Sequence, residues 1–245
     1  MDGQQQLKQL TPRIDQLIPA IRSFATRASS TRKPRLTDSR IIREIETKAP
    51  PVVGAETIKL QEKEIFNANQ SQTLELTIKS GVLRAGGNFD FDNSDVTLAL
   101  FSAGSPAVIK VPTGCTLHFE ALTESCFTLE EDTSNRSTED LSQWLINLHL
   151  VRQLIGAEAR LIALFQLLVE EFGFRHKETY SLPFWLSHAR LAEMISTSRG
   201  TVTRQITYLR KSNDLSIDSE QGSLIISSRL MELRPNELEL QGSWK

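Results

Sequence analysis

Hydrophobic positions change period twice along the chain, and the changes divide it. In residues 1–50, Leu7, Leu10, Ile14, Leu17, Ile18 and Ile21 recur at intervals of three and four, the spacing of a short amphipathic helix. Pro12 and Pro19 interrupt it. Residues 29–35 read as a basic linker, and Ile41, Ile42 and Ile45 predict a further turn or two of helix before Pro50 and Pro51. From residue 56 to 130 the period is two. Leu74, Leu76 and Ile78 alternate with polar residues, as do Val96, Leu98 and Leu100, and Leu117, Phe119 and Ala121. Turn residues separate the runs: Gly81, Gly86 with Gly87, Asp92 with Asn93, Gly104 and Gly114. Short strands so punctuated predict an antiparallel sandwich or barrel.

At residue 134 the period becomes helical. Ser137 or Thr138 can cap a helix whose first turn holds Glu139 and Asp140, where the helix dipole favours negative charge. Leu141, Trp144, Leu145, Leu148, Val151, Leu154 and Ile155 form one apolar stripe. On periodicity alone the stripe fits the chain's own core as well as a seam with a second copy. After Gly156, a more apolar helix carries Leu161, Ile162, Leu164, Phe165, Leu168, Val169 and Phe172 and ends near Gly173.

Residues 186–211 carry the clearest functional signal. Ser187 can cap a helix bearing Leu191, Met194 and Ile195. After a break at Ser196 and Thr197, Ser198 can cap a second helix bearing Val202, Ile206 and Leu209. Two short helices and a tight turn predict a helix-turn-helix, and Ala192 is small, as close crossing requires. Near the start of the second helix stand Arg199, Thr201, Thr203 and Arg204. Arginine forks suit guanine, while hydroxyls and helix N-termini suit phosphate. Residues 215–217, a turn through Gly222 and residues 224–226 predict a hairpin, which makes the unit a winged helix. Helical pairs of this kind also serve protein contact.

Composition narrows the class. The 245 residues suffice for one large domain or two small ones, and 39% hydrophobic with 24% charged residues is ordinary globular usage. The longest apolar run, residues 161–169, is interrupted by Gln166 and falls short of the roughly 20 residues a membrane helix needs. The first residues lack the apolar core of a secretory signal, and two cysteines build no disulfide framework, so a cytoplasmic protein is expected. The net charge of −2 is unevenly spread. Residues 1–48 hold ten basic and five acidic residues, residues 87–140 two and ten, and residues 186–211 five and one. Basic ends around an acidic middle fit nucleic acid met by the ends, or simply solvated surface.

The order of these elements resembles the Crp/Fnr superfamily of bacterial transcription regulators over residues 56–235. The match is sharpest at Leu186, Ser187 and His188, at Leu191, Ala192 and Glu193, at Ser198 and Arg199, and over residues 201–204. That wording is similar to the cyanobacterial global nitrogen regulator branch. Residues 222–227 with Leu230 and Leu233 resemble the family's wing and tail. The resemblance implies an α+β fold: a cyclic-nucleotide-binding-like β-barrel, a long dimerisation helix and a C-terminal winged helix-turn-helix. It further implies a homodimer on near-palindromic double-stranded DNA, with RNA polymerase a further partner. Arg199 and Arg204 match the family's base-reading arginines, and Ser198 and Thr201 its phosphate-contacting hydroxyls.

Departures qualify the sensor. The Gly-Glu-Leu and Arg-Ser-Ala segments that hold a cyclic phosphate are absent, and between Arg84 and Arg136 the only cation is Lys110. The barrel is therefore expected to be degenerate and unresponsive to cyclic nucleotides. Gly200 stands where several members place a carboxylate, and Gln205 where an apolar residue is usual. Enzyme readings lack support. His118, His149, His176 and His188 show no metal-ligand spacing, and His118 is expected at the surface, opposite Leu117 and Phe119. Gly86 and Gly87 read as a turn without the Lys-Ser/Thr of a phosphate loop. Asp90, Asp92 and Asp95 make an incomplete calcium pattern.

The expected organisation is a basic N-terminal arm (1–55), a degenerate β-barrel (56–133), a dimerisation helix (134–156), a winged helix-turn-helix (157–235) and a tail (236–245). DNA contacts are expected from Ser187, His188, Ser198, Arg199, Gly200, Thr201, Thr203 and Arg204, and the dimer seam from Leu141, Leu145, Leu148 and Ile155. No catalytic residue, metal or cofactor is assigned. From a different class, an adaptor that keeps the fold but binds proteins in place of DNA is the alternative.

Overall fold

A computed structural model describes residues 56–68, 73–89, 94–104, 107–111, 114–131, 139–218 and 222–233. The N-terminal arm, the capping Ser137 or Thr138, the acidic pair Asp90 and Asp92 and the tail lie outside the described residues.

The period-two region forms eight strands: β1 (Glu56–Leu60), β2 (Ile65–Asn67), β3 (Thr73–Ser80), β4 (Val82–Phe89), β5 (Asp95–Ser102), β6 (Ala107–Lys110), β7 (Cys115–Ala121) and β8 (Ser125–Glu131). They pair antiparallel in two four-stranded sheets, ordered β1-β8-β3-β6 and β2-β7-β4-β5. The sheets meet through their apolar faces. Leu74, Leu76, Ile78, Phe127 and Leu129 come from the first sheet; Leu83, Ala85, Leu117, Phe119 and Ala121 come from the second, and all are buried. Phe127 lies 6.0 Å from both Phe66 and Phe119, ring centre to ring centre. Among the described residues no strand pairing links the two sheets, so the architecture is a sandwich. Each such buried Leu or Phe is worth roughly 1.5–3 kcal/mol over exposure.

Gly86 and Gly87, expected in a turn, lie inside β4. A Cβ on Gly86 would fall 2.3 Å from His118 Nε2, and one on Gly87 2.9 Å from Cys115 Sγ. These glycines mark close packing over a strand, which a sequence cannot distinguish from a chain reversal.

Helix α1 (Glu139–Gln153) buries Trp144, Leu148 and Val151 against β5, β6 and the next helix, α2 (Ala157–Phe172). Trp144 stacks on Phe172 at 5.9 Å. The break between the helices is Gly156, whose φ of 86° suits glycine. Helix α2 buries residues around most of its circumference, including Leu161, Leu164, Phe165 and Leu168. Gln166, the polar interruption in that run, donates to the carbonyls of Leu230 (3.1 Å) and Leu233 (2.8 Å).

Beyond α2 come β9 (Phe174–His176), β10 (Thr179–Leu182), α3 (His188–Met194), α4 (Arg199–Lys211), β11 (Leu215–Asp218), β12 (Ser223–Ser227) and α5 (Ser228–Glu232). The four strands form an antiparallel sheet, β11-β12-β10-β9. The expected hairpin is its β11-β12 half. Asp214 ties this unit together by accepting from Ser212, Ser227 and Arg229. The bonds from Arg229 and the two serines outweigh burial and hold its pKa down to about 2.

Candidate nucleic-acid interface

Local capping sets the helix pair. Ser187 Oγ accepts from the Arg190 amide at 3.2 Å and opens α3, which buries Leu191, Ala192 and Met194. The chain turns through Ser196 at φ 51°, and the Thr197 amide donates back to the Ala192 carbonyl at 2.9 Å. Ser198 Oγ then accepts from the Thr201 amide at 3.1 Å and opens α4. Val202, Ile206 and Leu209, at intervals of four and three, turn one face of α4 into the core.

The opposite face of α4 presents Arg199, Gly200, Thr203, Arg204 and Thr207 to solvent. The helix holds four basic residues and no acidic one. A chain of contacts orders its first turns. Ser198 Oγ lies 2.9 Å from Thr201 Oγ1, which accepts from Arg204 Nη2 at 3.3 Å. Thr203 Oγ1 donates to the Arg199 carbonyl at 2.9 Å and meets His188 Nδ1 at 2.9 Å. His188 in turn sits edge-on to Trp185, ring centres 5.8 Å apart. Burial first, then the charges of Arg199 and Arg210, lower the His188 pKa and favour its neutral form. The eight residues expected at this site therefore converge on the α3 N-terminus and the first turns of α4. Thr201 is half-buried and already bonded on two sides. A side chain at Gly200 would meet nothing closer than Ser198 Oγ at 3.8 Å, so packing within the chain does not require glycine.

The expected seam residues separate. Leu145 (44% exposed) and Ile155 (71%) face solvent, and Leu141 is half-buried. Leu148, at 1%, is in the chain's own core, while Ile146, which the stripe did not include, is 52% exposed.

His118 is a correction. It lies on the face opposite Leu117 and Phe119 as expected, but it is 4% exposed because Arg84, Asp95 and helix α3 cover that face. Asp95, weighed as a cation ligand, is engaged by Arg84 and Arg190. Burial opposes its charge, but bonds from His118, Arg84 and Arg190 hold its carboxyl well below the usual range. No group of three His, Cys, Asp or Glu suited to a metal occurs among the described residues. Fully buried Arg84 is central to this cluster and sits directly across from Glu120 on the neighbouring strand, a register that the sequence alone does not show. Among the described residues no helix is long and apolar enough to cross a membrane.

Comparison with known proteins places the fold. No protein-family model and no curated protein matches the chain. Solved structures do. TTHB099, a CRP-family transcriptional regulator from Thermus thermophilus, superposes with a TM-score of 0.54 at 15% identity, covering 77% of this chain and 98% of its own. A CooA mutant from Carboxydothermus hydrogenoformans gives 0.53 at 18% identity, over 77% and 88% of the two chains. FixK2 from Bradyrhizobium japonicum gives 0.51 at 12% identity, over 79% and 100%. The chain shares the fold of these structures: a β-sandwich followed by a helical C-terminal part.

Proposed function

We propose that the protein is a sequence-specific, double-stranded-DNA-binding transcription regulator of the Crp/Fnr type that acts as a cytoplasmic homodimer. The observation that carries this reading is helix α4, which buries Val202, Ile206 and Leu209 and turns Arg199, Thr203, Arg204 and Thr207 to solvent. In this reading α3, α4 and the β11-β12 wing are a winged helix-turn-helix, with α4 in the major groove. Arg199 and Arg204 take base edges; Ser187, His188 and Ser198 take phosphates, with Thr201 aiming the Arg204 guanidinium. Gly200 lets the backbone approach the DNA. The β-sandwich is a sensor that has lost its cyclic-phosphate partners and does not respond to cyclic nucleotides. The similarity of fold to TTHB099, a CRP-family transcriptional regulator, supports the reading. RNA polymerase is proposed as a further partner on the family resemblance alone.

Dimerisation is proposed through the exposed face of α1. Leu145, Ile146 and Ile155 are large apolar side chains left exposed on or just after one helix, and a second copy of the chain would cover them. Leu141 extends that seam, while Leu148 supports it from inside the protomer.

The test is fluorescence anisotropy on a duplex selected by the wild-type protein, with a salt series. Arg204→Ala is expected to weaken binding about 5- to 150-fold, equivalent to about 1–3 kcal/mol, and to relax the preference at one position per half-site. Unchanged affinity in Arg204→Ala would remove the docking arrangement.

A further inference from the structure

The outer face of the β2-β7-β4-β5 sheet carries a charge cluster that base and phosphate contact does not explain. Arg84 is fully buried there. Its Nε donates to Thr97 Oγ1 (2.9 Å), its Nη1 to Glu120 Oε2 (3.1 Å) and its Nη2 to Asp95 Oδ1 (2.5 Å). His118 Nε2 lies 3.2 Å from both Arg84 Nη1 and Asp95 Oδ1. Helix α3 supplies the other side. Arg190 Nη2 donates to Asp95 Oδ2 at 2.7 Å and reaches Glu120 Oε2 at 3.4 Å. Glu193 accepts from the Thr97 amide at 3.0 Å and from Thr97 Oγ1 at 2.6 Å. Helix α1 closes the third side, where Arg152 Nε donates to the Met194 carbonyl at 2.9 Å and Nη2 stands 3.6 Å from Glu193 Oε1. Three arginines thus meet three carboxylates across sheet, α1 and α3.

Two irregularities of the sheet make room for this cluster. The β4-β5 register slips between Ala85 and Gly86, leaving Leu98 as the extra residue beside Thr97. The Thr97 amide is turned to Glu193, the re-aiming that a bulge produces. Gly86 lacks the side chain that would strike His118 and Arg84. Arg84 is the fully buried charge of the cluster, whereas Asp95, Glu120, Arg190 and Glu193 are half-buried, so removing a partner of Arg84 is costly because it leaves that one buried charge less well paired. Apolar contacts tolerate sliding of a helix on a sheet; a cluster with this many directed bonds is satisfied in one register only.

We propose that this cluster is an orientation lock: it fixes α3, and with it α4, at one setting on the sandwich, so that Asp95, Thr97 and Glu120 are positioning residues for DNA binding. The inference rests on the DNA-binding reading given above. The lock grips the supporting helix and leaves Arg199, Thr203 and Arg204 exposed, so the locked state is open to DNA. A dimer that reads two half-sites needs two recognition helices at a fixed separation, which helix pairs held at one setting on their sheets supply. The lock therefore favours a duplex with two half-sites over one with a single half-site.

The experiment compares full-length wild type, Asp95→Ala, Arg190→Ala, their double variant and the near-isosteric Thr97→Val. The probes are duplexes that carry one or two copies of the half-site selected by the wild type. Asp95→Ala and Thr97→Val are expected to lose about fivefold or more on the two-half-site duplex while single-half-site affinity stays within about twofold. Adding Arg190→Ala to Asp95→Ala is expected to cost less than Arg190→Ala alone. Loss on both duplexes in parallel would mark a general structural defect and overturn the lock, as would unchanged or tighter binding to two half-sites. A wild type that selects no duplex would overturn the DNA-binding reading and the lock with it; wild-type selection with unaffected variants would overturn the lock alone.

Discussion

Gly86→Ala adds one methyl group at the most crowded point of the charge cluster, and its effect can be worked from the geometry. The new Cβ would lie 2.3 Å from His118 Nε2, 2.6 Å from His118 Cε1 and 2.7 Å from Arg84 Nη1. All three distances are well inside van der Waals contact, so the imidazole and the guanidinium must both move. Arg84 is fully buried and cannot exchange its partners for water. Overpacking of this kind costs about 1–3 kcal/mol. Against it stands the lower chain entropy of unfolded alanine, worth about 0.5–1 kcal/mol. The net expectation is a loss of about 1–2 kcal/mol, read as a lower urea midpoint with an unchanged slope. In a His118→Ala background two of the three nearest atoms are gone, and the added cost of Gly86→Ala should shrink. Wild-type stability for Gly86→Ala, or the same cost in both backgrounds, would refute the reasoning.

Three further outcomes are expected. Leu145→Asp places a charge on the exposed face of α1 without touching the core, and should give monomers in sedimentation, whereas Leu148→Asp should unfold the chain; a dimeric Leu145→Asp protein moves the seam elsewhere. The Asp214 carboxyl falls from 3.8 to about 2 on folding, so the stability it contributes is complete above pH about 3.8 and is lost as the pH falls toward 2. Arg229 is mostly exposed and screened, so Arg229→Met should cost only about 0.5–1 kcal/mol at pH 7 and less near pH 2, with equal costs at both pH values arguing against the pairing. Gly200→Glu has room to fold and should add preference for one base pair per half-site, at about 1–3 kcal/mol, in sequences selected from a random pool; identical preferred sites would remove Gly200 from readout.

What could be read from the sequence was mostly what is decided within one element. Ser187 and Ser198 announced their helices because a cap bonds an amide three residues away. The alternation of Leu74, Leu76 and Ile78 and of Leu117, Phe119 and Ala121 revealed both faces of the sandwich. Strand β9 was missed because Phe174, Arg175 and His176 are all exposed and show no alternation. His118 failed for a different reason: period two tells which face a side chain is on, not what covers that face. The cover comes from α3, about 70 residues later, and from an arginine on the neighbouring strand β4. Gly86 looked like a turn for the same reason, since the groups that crowd a side chain there come largely from another strand. The wide stripe of α1 merged two faces, so Leu148 was grouped with Leu145 although one points to the core and the other to solvent.

The central claim is that α4 reads DNA as one of a symmetric pair. Its most direct measurement is selection of duplexes from a random pool by the full-length protein, followed by sequencing of the bound fraction. The expected result is an inverted repeat with half-site centres about 10–10.5 base pairs apart, lost in Arg204→Ala. Recovery of no common sequence, or of the same sequence with Arg204→Ala, would contradict the account.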